Sequence, residues 1–199
     1  MMISDDDIAN IVRSCQKAAS AIMDVYQTDF DVTLKKDQSP FTLADQQSHD
    51  ILTTDLKQYF PEIPIISEEM TKQVPYKKRQ NWESYWCVDP LDGSKEFVKK
   101  NDQFCILVAL IQEKQPVFGL IYHPVLNMYY YAVKGKGAFK VNEGQKIALR
   151  PTPKTSKRIR IIGSSSHSSV AFDTFVAQQK EIYDNVEVVQ MGSALKFGL

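Results

Sequence analysis

The spacing of apolar residues changes near residue 85, and that change limits the folds open to this chain. Up to Tyr59 apolar residues recur every three or four positions, as in amphipathic helices. Between residues 85 and 149 short apolar segments alternate with polar or glycine-containing turns that are too short for crossover helices. The pattern predicts N-terminal helices packed on a mostly antiparallel sheet, an α/β fold built in layers.

Capping signals place the predicted helices. Ser4 followed by Asp7 predicts the start of one helix, which runs to about residue 26. Thr42 with Asp45 predicts the start of a second, which ends before residue 61. The remaining predictions are strands at residues 63–66, 85–88, 104–111, 117–122 and 128–133, a hairpin at 141–147 and a loop at 70–84.

The linker 150–153, Arg-Pro-Thr-Pro, predicts a boundary between a first domain at residues 1–150 and a second at 151–199. The second part holds one strand–helix–strand unit, with strands at 158–162 and 186–190. Such a unit is expected to be parallel with a right-handed crossover. One unit alone buries its sheet poorly, so we expect this second domain to be incomplete.

The most specific chemical feature is the acidic turn Asp89–Ser94, which follows a predicted strand. Asp89 and Asp92 flank a proline that stiffens the turn, and Gly93 lets the backbone approach a ligand closely. Ser94 lies near a predicted helix start, where free N–H groups favour phosphate oxygens.

Glu68 supplies a third carboxylate from a separate predicted strand end. Hard oxygen ligands on a tight turn suit Mg²⁺, which takes oxygen donors in octahedral geometry. Without a cation, like charges held together would repel and raise one pKa. Asp-Pro and Asp-Gly alone are also ordinary turn formers. Their combination with Glu68 and the Ser94 hydroxyl favours a metal site.

Residues 89–97, preceded by Ser67-Glu68-Glu69, resemble the metal-binding signature of the inositol monophosphatase superfamily. Its members usually carry threonine where Ser94 stands, a change that keeps the hydroxyl. The resemblance extends from the first helix to the last residue. It implies a layered αβαβα sandwich, a phosphatase activity that uses two or three Mg²⁺ ions, and an active site where two domains meet.

The resemblance also implies roles for individual residues. Glu68, Asp89 and the Leu91 carbonyl would bind one Mg²⁺, and Asp89 with Asp92 would bind a second. Glu68 and the Ser94 hydroxyl would orient the attacking water, and Asp45 would hydrogen-bond that hydroxyl. Taken alone, Asp45 would be a helix N-terminal acid that favours the macrodipole. Gly93, Ser94 and Lys36 would border the substrate phosphate.

Three segments are similar to the branch of the family that hydrolyses 3'(2'),5'-bisphosphate nucleotides: 92–97, 163–167 and 191–197. That similarity implies hydrolysis of adenosine 3',5'-bisphosphate to AMP and phosphate, in sulfur assimilation and nucleotide recycling. His167, Ser193 and Lys196 would contact the ribose and the second phosphate. A remote phosphate needs a cation away from the metals, and Lys196 is a compact one. Each of these residues alone would be an ordinary surface residue.

Family members continue beyond Leu199 with a tryptophan–aspartate motif whose aspartate completes the second metal shell. We therefore expect this chain to lack one metal ligand, to retain Mg²⁺ binding because water can take the position, and to release phosphate orders of magnitude more slowly than full-length relatives. Two alternatives stay open on the sequence: an inositol or fructose-1,6-bisphosphate phosphatase, and a non-catalytic protein that binds metal and nucleotide.

Charge and cysteine content limit the partners and the compartment. The chain has 24 basic and 24 acidic residues, which argues against nucleic acid as a partner. Its three scattered cysteines, Cys15, Cys87 and Cys105, are predicted to be buried free thiols in a reducing compartment. No signal peptide or membrane span is predicted. We expect a cytoplasmic protein, with peripheral contact to the inner membrane and a homodimer both compatible with the sequence.

Overall fold

The computed structural model describes residues 3–35, 40–70, 74–151, 157–165 and 169–198. The helices are α1 (Asp5–Tyr26), α2 (Leu43–Tyr59), α3 (Tyr76–Arg79), α4 (Ser94–Val98) and α5 (Val170–Ile182). The strands are β1 (Thr33–Leu34), β2 (Pro40–Phe41), β3 (Ile65–Ser67), β4 (Ser84–Asp92), β5 (Cys105–Gln112), β6 (Gln115–His123), β7 (Met128–Val133), β8 (Gly137–Asn142), β9 (Gln145–Leu149), β10 (Arg158–Ser164) and β11 (Asn185–Met191).

Both long helices begin where their capping residues predict. The Ser4 hydroxyl accepts a hydrogen bond from the N–H of Asp7, whose carboxylate accepts one from the N–H of Ser4. At the start of α2 the N–H and the hydroxyl of Thr42 both donate to the Asp45 carboxylate, at 2.8 and 2.7 Å. These bonds satisfy polar groups that would otherwise end the helices unpaired.

The seven strands β3 to β9 form one sheet in chain order, with β3 parallel to β4 and every other pair antiparallel. The predicted antiparallel meander is therefore confirmed. The predicted hairpin at 141–147 corresponds to β8 and β9, joined by Glu143 and Gly144 with φ of 50° and 75°. Two consecutive residues with positive φ match the right-handed twist of the flanking strands.

The core lies between α1, α2 and the sheet. Its largest fully buried side chains include Trp86, Phe97, Phe104 and Phe118. Tyr26 at the end of α1 contacts the Phe104 ring edge-on, with ring centroids 4.8 Å apart. Burying one such side chain contributes about 1.5–3 kcal/mol. This packing fixes α1 and α2 against the strand that carries the acidic turn.

The strand–helix–strand unit forms as predicted, because β10 and β11 pair in parallel over seven residues on each strand and α5 lies between them in sequence. The Phe172 ring on α5 packs over Gly163, where a Cβ would lie 2.6 Å from that ring. The division into domains at 1–150 and 151–199 stays a prediction. Within the described ranges, no helix combines the length and apolar content that crossing a membrane requires.

Three local predictions differ from the structure. The predicted loop at 70–84 contains the short helix α3. Strand β4 continues through the acidic turn to Asp92, because a register shift between Asp89 and Asp92 accommodates Pro90 without a ladder hydrogen bond. Cys15 and Cys105 are buried, but the prediction for Cys87 is wrong: it lies on the face of β4 opposite Trp86 and is exposed.

Candidate active site

The acidic turn is held in shape by its own backbone. The Asp89 carboxylate accepts a hydrogen bond from the N–H of Leu91 at 3.1 Å. Gly93 has φ of 92°, and a Cβ there would lie 2.8 Å from the carbonyl oxygen of Gln103. Both the left-handed conformation and the close approach therefore require glycine at position 93.

Strand pairing brings Glu68 to this turn. Ser67, the last residue of β3, lies opposite Val88 on β4, so the residues that follow each of them are neighbours. The side chains of Glu68 and Asp89 share a hydrogen bond. Burial, then the charges of Glu68 and Asp92, raises the pKa of Asp89 to about 8. The groups around these carboxylates therefore do not fully neutralise their negative charge.

Lys35 forms ion pairs with two carboxylates at this site. Its Nζ lies 3.0 Å from Glu68 and 2.6 Å from Glu69. Although burial alone would lower the pKa of Lys35, its hydrogen bonds to the two glutamates raise it overall. The residue predicted for this edge of the site was Lys36. Lys36 lies outside the described residues, and nothing in the chain pattern distinguished the two adjacent lysines.

Ser94 and Asp45 meet as predicted. The Ser94 hydroxyl lies 3.3 Å from Oδ1 of Asp45 and 3.1 Å from the Leu91 carbonyl oxygen. Asp45 is 1% exposed, and burial raises its pKa against the lowering effect of its bonds to Thr42. A buried carboxylate at the start of α2 thus faces the hydroxyl at the start of α4.

Two further residues of α2 contact the site and were missed in the sequence. The Ser48 hydroxyl donates to the carbonyl oxygen of Pro90 at 2.7 Å. Nδ1 of His49 lies 2.8 Å from the Ser67 hydroxyl. Ser48 and His49 follow Asp45 by three and four positions, so all three lie on one face of the helix. That spacing was the only available signal.

The C-terminal segment closes the other side of the turn. Asp92 accepts hydrogen bonds from the N–H of Ala194 and, at 3.6 Å, from the thiol of Cys105. Ser193 has φ of 50°, and Nζ of Lys196 donates to its carbonyl oxygen. Burial raises the pKa of the Cys105 thiol, so Cys105 stays a neutral donor. Ser193 and Lys196 therefore lie close to the acidic turn, and their predicted contacts with the ribose and the second phosphate stay a prediction.

Gln103 joins this segment to the acidic turn. Its side-chain oxygen accepts a hydrogen bond from the N–H of Gly192 at 2.7 Å. A Cβ on Gly192 would lie 2.5 Å from Cγ of Glu96, so the backbone of the C-terminal segment packs directly against the Glu96 side chain. Between them lies a cavity of about 420 Å³ whose lining includes Asp92, Ser94, Ser193 and Lys196.

The side chains supply the ligands that a divalent cation requires, but they do not form a closed cage. Among the residues that the structure describes, no three His, Cys, Asp or Glu side chains converge closely enough to hold an ion. Glu68 turns to Lys35 and shares a hydrogen bond with Asp89. The Glu68 side chain is 48% exposed. Carboxylates from two strand ends, one of them half-buried with a raised pKa, fit a hard cation such as Mg²⁺.

A known protein family matches nearly the whole chain. The model of the inositol monophosphatase family matches residues 5–197. The 3'(2'),5'-bisphosphate nucleotidase CysQ of Aggregatibacter actinomycetemcomitans is 39% identical over 142 residues, a match that covers 71% of this chain and 52% of the relative. The protein of the same name from Escherichia coli (strain K12) is 35% identical over 196 residues, covering 98% of this chain and 75% of the relative.

A solved structure gives the same answer for the fold. The crystal structure of CysQ from Bacteroides thetaiotaomicron, described as a bacterial member of the inositol monophosphatase family, superposes with a TM-score of 0.80 at 31% identity. The match covers 98% of this chain and 75% of that protein. The predicted fold class is therefore confirmed, and this chain spans between about half and three quarters of the length of these relatives.

Proposed function

The chain belongs to the inositol monophosphatase family, and on that premise we propose that it is a metal-dependent phosphatase that converts adenosine 3',5'-bisphosphate to AMP and phosphate. Relatives named 3'(2'),5'-bisphosphate nucleotidase are 34–39% identical to this chain over most of its length, which supports the nucleotide as substrate. The activity of the family is phosphate ester hydrolysis, so the chemistry is that of a hydrolase.

One observation carries the proposal. The lining of the cavity between the acidic turn and the C-terminal segment includes both Asp92, a proposed metal ligand, and Lys196. A cation bound at the carboxylates would attract one phosphate, and Lys196 would attract a second. A ligand with two phosphates would use both groups, whereas a ligand with a single phosphate would use only one.

Glu68, Asp89, Asp92 and the Leu91 carbonyl are the groups that would bind Mg²⁺. The metal would polarise the phosphate ester and lower the pKa of a bound water. The raised pKa of Asp89 supports this assignment, because a cation would remove the repulsion that raises it. The number of ions is part of the proposal: two or three, as the family resemblance implies.

Ser94 has a single hydroxyl proton and two acceptors within reach, Asp45 and the Leu91 carbonyl. We infer that it donates to Asp45 during the reaction. The hydroxyl oxygen would then accept a hydrogen bond from the attacking water, and Glu68 would help to orient that water and receive a proton from it. Asp45 thereby sets the direction of the Ser94 hydroxyl.

Ser193 and Lys196, which also line the cavity, would bind the ribose and the second phosphate. Gly93 permits the close backbone approach that a phosphate requires. Lys36 and His167, which lie outside the described residues, stay predictions for the same substrate.

The test is phosphate release from adenosine 3',5'-bisphosphate, adenosine 3'-phosphate, inositol 1-phosphate and fructose 1,6-bisphosphate, each with MgCl₂ or with EDTA. We expect the bisphosphate nucleotide to give the highest kcat/KM and EDTA to abolish turnover. The K196M substitution should raise KM for the bisphosphate by about 10–100-fold, the value of one charge-assisted hydrogen bond, and leave KM for adenosine 3'-phosphate little changed. K99M removes an exposed lysine outside the cavity and serves as the control.

The other outcomes would each change the assignment. If inositol 1-phosphate or fructose 1,6-bisphosphate were hydrolysed faster than the nucleotide, that compound would be assigned as the substrate instead. Calorimetric binding of the nucleotide with no turnover would make the chain a binding protein. If K196M raised KM equally for adenosine 3',5'-bisphosphate and adenosine 3'-phosphate, Lys196 would not bind the second phosphate.

A further inference from the structure

Three side chains on one face of α2 each contact a different segment of the acidic site. Asp45 faces Ser94, Ser48 donates to the Pro90 carbonyl, and His49 contacts the Ser67 hydroxyl. Asp45, Ser48 and His49 are each no more than 9% exposed. Buried polar groups are retained where they have partners, and here each of the three side chains has a partner in the site.

The bond between His49 and Ser67 is the one that bears on Glu68. Ser67 is fully buried and directly precedes Glu68 in the chain. The strand β3 that ends at Ser67 has only three residues, and it lies at the edge of the sheet, paired with β4 alone. A strand this short has few ladder hydrogen bonds to fix its end. The side chain of His49 therefore supplies a substantial part of the restraint on the backbone that carries Glu68.

We propose that His49 is a positioning residue for Glu68 and acts through the Ser67 hydroxyl. The inference rests on the proposed function, because it takes Glu68 as a ligand of the metal. Replacing a residue that orients a metal ligand without contacting the metal itself typically changes metal affinity 10–100-fold. A histidine that served stability alone would change the unfolding free energy and leave metal affinity untouched.

The test compares Mn²⁺ binding in H49L, H49N, S67A and the H49L/S67A double variant, without substrate. Mn²⁺ stands in for Mg²⁺ because the electron paramagnetic resonance signal of the free ion reports binding directly. H49L removes the hydrogen bond, whereas asparagine places a polar amide atom where Nδ1 stood. The control is T53V, which removes another buried hydroxyl of α2 that donates to the helix backbone at the His49 carbonyl.

We expect H49L and S67A each to weaken Mn²⁺ binding by about 10–100-fold, and H49N and T53V to stay within about threefold of the wild type. The affinity of the double variant for Mn²⁺ should be no lower than that of whichever single variant binds Mn²⁺ less tightly, because both changes remove the same bond. Unfolding in urea, measured in parallel, separates loss of affinity from loss of fold.

The results that would overturn the inference are distinct from those that would overturn the function. Wild-type affinity in H49L, or effects of H49L and S67A that multiply in the double variant, would refute the positioning role alone. Should H49L fail to fold, S67A decides, since an unchanged affinity there also refutes it. A wild-type chain that binds no Mn²⁺ would refute the proposed metal site, and the inference with it.

Discussion

Replacing Asp89 by asparagine should make the metal-free protein more stable at neutral pH. Asparagine keeps the shape of the side chain and an oxygen that can accept the hydrogen bond from the N–H of Leu91. It removes a half-buried carboxylate beside Glu68 and Asp92, whose pKa is raised from 3.8 to about 8. A residue proposed to serve the metal would thus be one that destabilises the fold in the absence of metal.

The size and sign of the effect follow from proton linkage. Between pH 3.8 and about 8 the folded chain keeps a proton on Asp89 that the unfolded chain has released. The folded state therefore binds more protons in this range, and the free energy of unfolding falls as the pH rises. At about 1.4 kcal/mol per pH unit the whole interval corresponds to about 6 kcal/mol, of which about 4 kcal/mol is lost by pH 7. Local rearrangement and water entry reduce such costs, so we expect a gain of about 2–4 kcal/mol for D89N at pH 7.

Urea denaturation in EDTA at pH 4.5, 7 and 8.5 measures this gain directly. The difference between D89N and wild type should be small at pH 4.5 and widen as the pH rises, and saturating MgCl₂ should narrow it by stabilising the wild type. D50N, which replaces an exposed carboxylate of α2, is the control and should change stability by less than about 0.5 kcal/mol. A D89N protein no more stable than wild type at pH 7, or a difference independent of pH, would refute the reasoning.

Two further predictions concern the backbone contact and the hydroxyl of the site. G192A should lower the free energy of unfolding by about 1–3 kcal/mol, because the new Cβ would lie 2.5 Å from Cγ of Glu96. G119A, where a Cβ would meet nothing within 4 Å, should leave stability unchanged or raise it by up to about 1 kcal/mol, so equal losses in the two variants would contradict the packing argument. S94A should lower kcat for phosphate release by about 100-fold and S94T should retain it, and full activity of S94A would exclude the hydroxyl from the reaction.

The parts of the fold that could be predicted are those that local sequence determines. The Ser4–Asp7 and Thr42–Asp45 pairs close reciprocal bonds over three residues, so their outcome needs no tertiary information. The meander follows from apolar segments joined by turns too short for helices. The family resemblance implied that Glu68 and Asp89 share a metal, but the parallel pairing of β3 with β4 that brings them together was not predicted from the sequence.

The contacts of Lys35 could not be predicted from the local sequence. It lies in an irregular segment just after β1, where side chains follow neither the period of a strand nor that of a helix. Two adjacent lysines at positions 35 and 36 then carry the same information, and only the coordinates show that Lys35 reaches Glu68 and Glu69. The exposure of Cys87 has a similar cause, since an apolar strand does not by itself say which of its faces is covered.

The polar face of α2 explains why Ser48 and His49 were missed and why the site is rigid. Amphipathic patterns place polar residues in solvent, yet these two are buried because their partners are polar atoms of distant segments, Pro90 and Ser67. Each bond left unmade in such surroundings costs about 1–3 kcal/mol. A slide of α2 by a single residue would break these two and the contact between Asp45 and Ser94 together. The helix and the three segments of the site therefore fix one another in register, and a buried polar stripe on a helix is a signal that the surface it faces is polar as well.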